Sequence, residues 1–70
     1  MERKRINAST IRAVGYDARS RVLEVEFVNG SVIQYSGVPE DLHRGLMNAV
    51  SPASYFKDRI EEDFPSRRVR

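Results

Sequence analysis

Ser51, Ser54, Tyr55 and Arg59 have the types and spacing of a small anion site. Ser51-Pro52 is a helix-start signal, a capping serine followed by proline at the first helical position. A helix begun there offers unpaired amides and the positive end of its dipole to an anion, with the hydroxyls of Ser51 and Ser54 alongside. Tyr55 and Arg59 stand one turn apart and share a face. A phosphate on the amides, Arg59 beside it and Tyr55 against a base would make a nucleotide site. Plain capping requires the same Ser-Pro pair and no ligand at all.

A second chemistry lies at the two ends. Arg3-Lys4-Arg5 and Arg67-Arg68-Val69-Arg70 could neutralise about six phosphates, with strongly salt-dependent and sequence-blind affinity. Reading bases needs stacking surfaces, and the candidates are Tyr16, Tyr35 and Tyr55 with Arg12, Arg44 and Arg59. The competing reading makes the ends solubilising tails and the tyrosines half-buried packing. The charge is unevenly divided: residues 1–5 carry +2 with Glu2 included, residues 67–70 carry +3, and the stretch between them carries −3. The whole chain is +2.

Other titratable groups offer less. His43 has neither a second histidine nor a cysteine to share a metal, and no orienting acid to make it a general base, so it reads as an exposed or half-packed helix residue. Glu24 and Glu26 alternate outward from a strand, the pattern of a wet face guarded against edge association. Glu61-Glu62-Asp63 reads as a solvated helix end. With no cysteine, thiol chemistry, disulfides and cysteine-held metals are excluded. The reading is of a protein that is not an enzyme and uses no metal or cofactor.

Seventy residues form one small module, and 40% apolar with 31% charged residues describes a folded domain rather than a disordered chain. No stretch approaches the roughly 20 apolar residues of a membrane span, and Met-Glu-Arg-Lys-Arg leads into polar sequence without an apolar signal core. A cytoplasmic location without membrane contact is the expectation. A domain of this size buries only about 60% of its unfolded surface, which makes a homo-oligomer a fair expectation.

The elements that must position these residues are marked by periodicity and turns. Ser9 to Tyr16 is a strand candidate broken by Gly15, followed by the turn composition Asp17-Ala18-Arg19-Ser20. Arg21 to Val28 alternates cleanly, with Leu23, Val25 and Phe27 on one face and Glu24 and Glu26 on the other. Asn29-Gly30 then marks a hairpin. A two-residue loop would set Val25 opposite Gln34 and leave Ile33 and Tyr35 beside the glutamates. A three-residue loop, Val28-Asn29-Gly30, sets Val25 opposite Ile33, Leu23 opposite Tyr35 and Glu24 opposite Gln34. The second register gathers one apolar face and is preferred.

After Gly37-Val38, Pro39 opens a helix predicted to reach Val50, with Leu42, Leu46, Ala49 and Val50 as its stripe. Gly45 inside it implies the close approach of another backbone or a tolerated cost of about 1 kcal/mol. The second helix carries Phe56, Ile60 and Phe64 and is stopped by Pro65, and Ser66 to Arg70 reads as a mobile tail. The expected fold is α+β, a three-stranded antiparallel β-meander followed by two short helices packed on one face of the sheet. Residues 1–8 are then a basic N-terminal segment, 9–64 one domain and 65–70 a basic tail.

Ser9, Val14-Gly15-Tyr16-Asp17, Leu23, Val25, Phe27, Gly30, Tyr35, Val38-Pro39, Ala49, Ser51, Tyr55-Phe56 and Ile60, in this order and spacing, resemble the KTSC domain. That family is named for its place at the C-terminus of some lysyl-tRNA synthetases, and it also occurs as small stand-alone bacterial or phage proteins. Two departures stand out. The family's central Tyr-x-Tyr reads Ile33-Gln34-Tyr35 here, which marks position 33 as packing. Ala53 stands where a glycine is usual.

From the company the family keeps, the resemblance implies RNA binding. Three functions are carried forward: a binding module for RNA or a nucleotide-like anion, a small oligomeric protein that sequesters a nucleotide signal molecule, and a protein–protein adaptor without a ligand.

Overall fold

The computed structural model describes residues 3–6 and 8–70; Met1, Glu2 and Asn7, and with them the acid counted in the N-terminal charge, lie outside the described residues. Among the described residues the element order is β1 (Arg3–Arg5), β2 (Ile11–Asp17), β3 (Val22–Phe27), β4 (Val32–Ser36), α1 (Glu40–Asn48), α2 (Pro52–Arg59) and β5 (Ser66–Arg68). The strands form one antiparallel sheet in the spatial order β1-β2-β3-β4-β5.

The β3–β4 hairpin has the three-residue loop. Val25 faces Ile33, Leu23 faces Tyr35 and Glu24 faces Gln34. The Gly30 amide donates to the Phe27 carbonyl at 3.0 Å, and the Phe27 amide to the Ser31 carbonyl at 2.8 Å. Gly30 sits at φ 94°, a left-handed conformation glycine adopts without cost. Asn29 adds a turn bond, its Oδ1 accepting from the Ser31 amide at 2.9 Å. The tight Asn-Gly turn loses because it would turn Ile33 and Tyr35 away from the core.

Both ends depart from the tail expectation. β1 pairs with β2 through Arg3↔Gly15, Lys4↔Val14 and Arg5↔Ala13, and β5 pairs with β4 through Ile33↔Arg68, Gln34↔Arg67 and Tyr35↔Ser66. The three-stranded meander is thus a five-stranded sheet, four strands before the helices and one after. A three-stranded sheet would leave rows of unpaired amides and carbonyls along β2 and β4, and any short extended segment can satisfy them. Lys and Arg are compatible with that role, since charged residues are what natural edge strands carry.

The helices lie on one face. Leu46 from α1 and Phe56 and Ile60 from the end of α2 join Ile11, Val14, Leu23, Val25, Tyr35 and Val38 in the core, with Phe27, Ile33, Leu42 and Phe64 packed against it. α1 stops earlier than predicted, at Asn48. Ala49 is its C-cap in extended conformation, and Val50 is fully solvent-exposed instead of completing the stripe. Ser51 precedes Pro52, a position that disfavours helical backbone, so the link between the helices is extended. α2 likewise ends at Arg59, short of Pro65. The amides of Ile60 and Glu61 both donate to the Phe56 carbonyl at 2.9 Å, so the last turn is widened, and Ile60 still reaches the core. No helix among the described residues is long and apolar enough to cross a membrane.

Gly45 has a specific cause. A Cβ built there would overlap the Tyr55 hydroxyl and lie 2.7 Å from the ring's Cζ, so the approach comes from a side chain and not from a backbone. Gly45→Ala is expected to lower stability by about 1 kcal/mol, because displacing Tyr55 outweighs the roughly 1 kcal/mol that alanine adds to the helix. In a Tyr55→Ala background the same change is expected to raise stability by that amount. Urea denaturation of the four proteins in this cycle measures the reversal, and a stabilising Gly45→Ala in the parent would contradict the packing account.

Candidate nucleic-acid interface

Side chains alternate along a strand, so the register fixes which residues share the face away from the helices. Arg3, Gly15, Glu24, Gln34 and Arg67 form one row across all five strands, and Arg5, Ala13, Glu26 and Val32 form the next. A bulge between Ile11 and Ala13 adds Arg12 to this face by breaking the alternation of β2. Four arginines therefore surround a short ladder of Glu24, Glu26 and Gln34.

The centre of this face is tightly tied. Arg3 Nε lies 3.4 Å from Glu24 Oε2, and its Nη1 4.0 Å from Glu26 Oε1. Arg12 Nη1 is 3.8 Å from Glu26 Oε2, while its Nη2 donates to the Val28 carbonyl at 3.1 Å. Gln34 Nε2 donates to Glu24 Oε1 at 2.9 Å. The two carboxylates retain only 13% and 20% of their side-chain exposure, so they are not the freely wetted acids that alternation predicts. Their arginine partners are distant in sequence, and the edge strand and the bulge bring them together.

The remaining basic residues differ in freedom. Arg5 and Arg67 are exposed and form no ion pair among the described residues. Lys4 is exposed and, paired with Val14, lies on the helix-side face of β1. Arg68 also shares the helix-side register, its Nε donating to the Arg70 carbonyl at 3.2 Å, and that same carbonyl accepts the Val32 amide at 2.9 Å. Arg44 is occupied on α1 by Glu40 at 3.8 Å and Asp41 at 3.5 Å.

None of the three tyrosines is on the helix-free face. Tyr35 is 3% exposed, in edge contact with Phe56 at 5.3 Å, and burial raises its pKa with Glu61 adding to the effect. It is a core residue, which corrects its place among the ligand contacts. Tyr16 is half-buried. Its hydroxyl donates to the Val38 carbonyl at 2.6 Å, and its ring stacks on His43 at 4.6 Å and 10°. Burial, then Glu40, raises the Tyr16 pKa; burial also lowers that of His43, against the opposing pull of Glu40. Tyr55 lies over Gly45, with the Arg59 guanidinium 5.9 Å from its ring centre.

At the start of α2, Ser51 holds the N-cap position but makes no capping bond with its side chain. Its hydroxyl is instead 3.1 Å from that of Ser54. Proline 52 has no amide hydrogen, and the Tyr55 amide is bound to the Ser51 carbonyl at 3.0 Å. Only two amides of the expected cradle, those of Ala53 and Ser54, remain for an anion.

The architecture defines a small α+β domain in which a five-stranded antiparallel meander carries two helices on one face and a charged network on the other. The chain belongs to the KTSC domain family, whose model matches residues 7–64. It is similar to the crystal structure of a KTSC domain protein from Yersinia pestis, with a TM-score of 0.93 and 37% identity over 99% of this chain and 97% of that one. That coverage takes in both edge strands. It is also 36% identical over 56 residues to a protein of Stutzerimonas stutzeri (strain A1501) described as "Uncharacterized protein", covering 80% of this chain and 79% of the other.

Proposed function

We propose that the domain is a non-enzymatic binding module for RNA, engaged through the helix-free face of its sheet. The observation that carries this reading is the pairing of both basic ends onto opposite edges of one sheet, with Arg3 and Arg5 on one side and Arg67 on the other. Arginine engages phosphate oxygens bidentately, and each phosphate neutralised releases counterions. Contacts of this kind position a strand without reading its bases. With no aromatic ring on that face among the described residues, the expected binding is sequence-blind.

Two features weigh against a nucleotide site at α2. The Ser51 hydroxyl spends its hydrogen on that of Ser54, and Tyr55 is packed between Gly45 and Arg59. The family's place beside lysyl-tRNA synthetases agrees with RNA as the polyanion.

Fluorescence anisotropy with a labelled oligouridylate tests the proposal. Affinity should fall linearly on a log–log plot against salt, with a slope of about −0.7 for each phosphate contacted. Arg5→Glu combined with Arg67→Glu alters two exposed side chains that form no ion pair among the described residues, and is expected to weaken binding at least about tenfold at low salt while leaving the melting temperature unchanged. Equal binding by parent and double variant would rule this face out.

A further inference from the structure

Resting on that reading, we infer that Glu26, supported by Glu24, sets the specificity of the face by excluding compact anions and admitting only a polyanion long enough to reach from β1 to β5. A compact anion such as a free phosphate or mononucleotide binds well where two guanidinium groups converge on it. On this face the place of convergence is already filled. Glu26 holds Arg3 with one oxygen and Arg12 with the other, at 4.0 and 3.8 Å, and Glu24 takes the Nε of Arg3. Gln34 keeps Glu24 oriented through its 2.9 Å bond. An incoming phosphate must displace a carboxylate that is tethered and partly desolvated, and meets like charge as it does so.

The arginines outside this network lie on opposite edges. Four inter-strand spacings separate the backbones of β1 and β5, about 19 Å, and a single phosphate would meet both Arg5 and Arg67 only with both side chains laid inward over the occupied ladder of Glu24, Glu26 and Gln34. A stacked strand rises about 3.4 Å per nucleotide, and about six nucleotides cover that span. Engagement of the second edge is then intramolecular and raises affinity without new contacts in the centre. The face therefore distinguishes length where it cannot distinguish sequence.

The test compares uridine 5′-monophosphate, an oligouridylate of about three nucleotides and one of about twelve, at low salt, on the parent, Glu26→Gln and Glu24→Gln proteins. In the parent the long oligomer should bind at least about a hundredfold tighter than the short one, and the monophosphate should not register. Glu26→Gln, the same shape without the charge, should bring in monophosphate binding and compress the length dependence about tenfold. Glu24→Gln should do so more weakly. Glu62→Gln removes one charge from an exposed site remote from the ladder and should leave the length dependence as it was.

Length dependence in the parent that neither glutamine variant alters, or that Glu62→Gln alters equally, overturns the exclusion role and leaves RNA binding standing. Failure of every oligomer to bind the parent overturns the underlying function as well. A melting temperature recorded for each variant separates loss of binding from loss of fold.

Discussion

Alanine in place of Phe56 is expected to leave the domain largely unfolded at 37 °C. Phe56 is 5% exposed and is the ring by which α2 grips the sheet, in edge contact with Phe27 at 5.7 Å and with Tyr35 at 5.3 Å. Truncating a buried phenylalanine costs about 3–5 kcal/mol, cavity included. Domains hold roughly 0.05–0.15 kcal/mol per residue, which for a chain this short leaves a reserve of about 3–10 kcal/mol. A domain this small buries little of its surface and sits in the lower part of that range, where the loss consumes most or all of the reserve. Phe56→Leu, which keeps much of the volume, should cost about 1–2 kcal/mol and remain folded. Far-UV circular dichroism melts of the two variants measure the difference. An alanine variant melting within a few degrees of the parent would show that α2 is held by Ile60 and not by the aromatic cluster.

Deleting residues 66–70 should lower the melting temperature by about 10 °C, whereas removing a mobile tail would leave it unchanged. The deletion takes away the Val32 amide's bond to the Arg70 carbonyl at 2.9 Å, the Val69 amide's bond to the Val32 carbonyl at 2.8 Å, and the pairing of Arg67 with Gln34. Backbone bonds at an edge are partly replaced by water, so the net loss is near 2 kcal/mol. In a domain of this size each kcal/mol moves the midpoint by about 4–8 °C. Val32, 2% exposed in the intact sheet, would also lose the strand beside it. Differential scanning calorimetry of the shortened chain gives the shift directly. A midpoint unchanged within error would mean that the strand pairing adds nothing to stability.

The central hairpin could be read from the sequence because its two candidate registers differ in how much apolar surface they bury. Leu23, Val25, Ile33 and Tyr35 all reach the core side only with the three-residue loop. The second helix was legible for a related reason, since Phe56 and Ile60 keep helical spacing behind a Ser-Pro start.

β1 and β5 were not legible. Arg3-Lys4-Arg5 and Ser66-Arg67-Arg68 carry no apolar alternation, and what makes them strands is the unpaired backbone of β2 and β4. The same gap hid the candidate site. Glu24 and Glu26 look like isolated wet acids until Arg3 is placed two strands away and the bulge in β2 brings Arg12 to Glu26. The register did contain one usable signal, the facing of Glu24 and Gln34 across the hairpin. Gly45 announced a close approach, and only the tertiary structure shows that Tyr55 makes it.

The strand order also bears on how the domain assembles. From β1 to β4 every strand pairs with its immediate successor in the chain, so three of the four pairings close over short turns. The fourth joins Tyr35 to Ser66 across both helices, a closure of about thirty residues with a correspondingly larger entropic cost. Local pairings form early and distant ones late. The edge that carries Arg67 is accordingly the last to be laid down, and a chain still emerging from synthesis has one basic rim long before it has two.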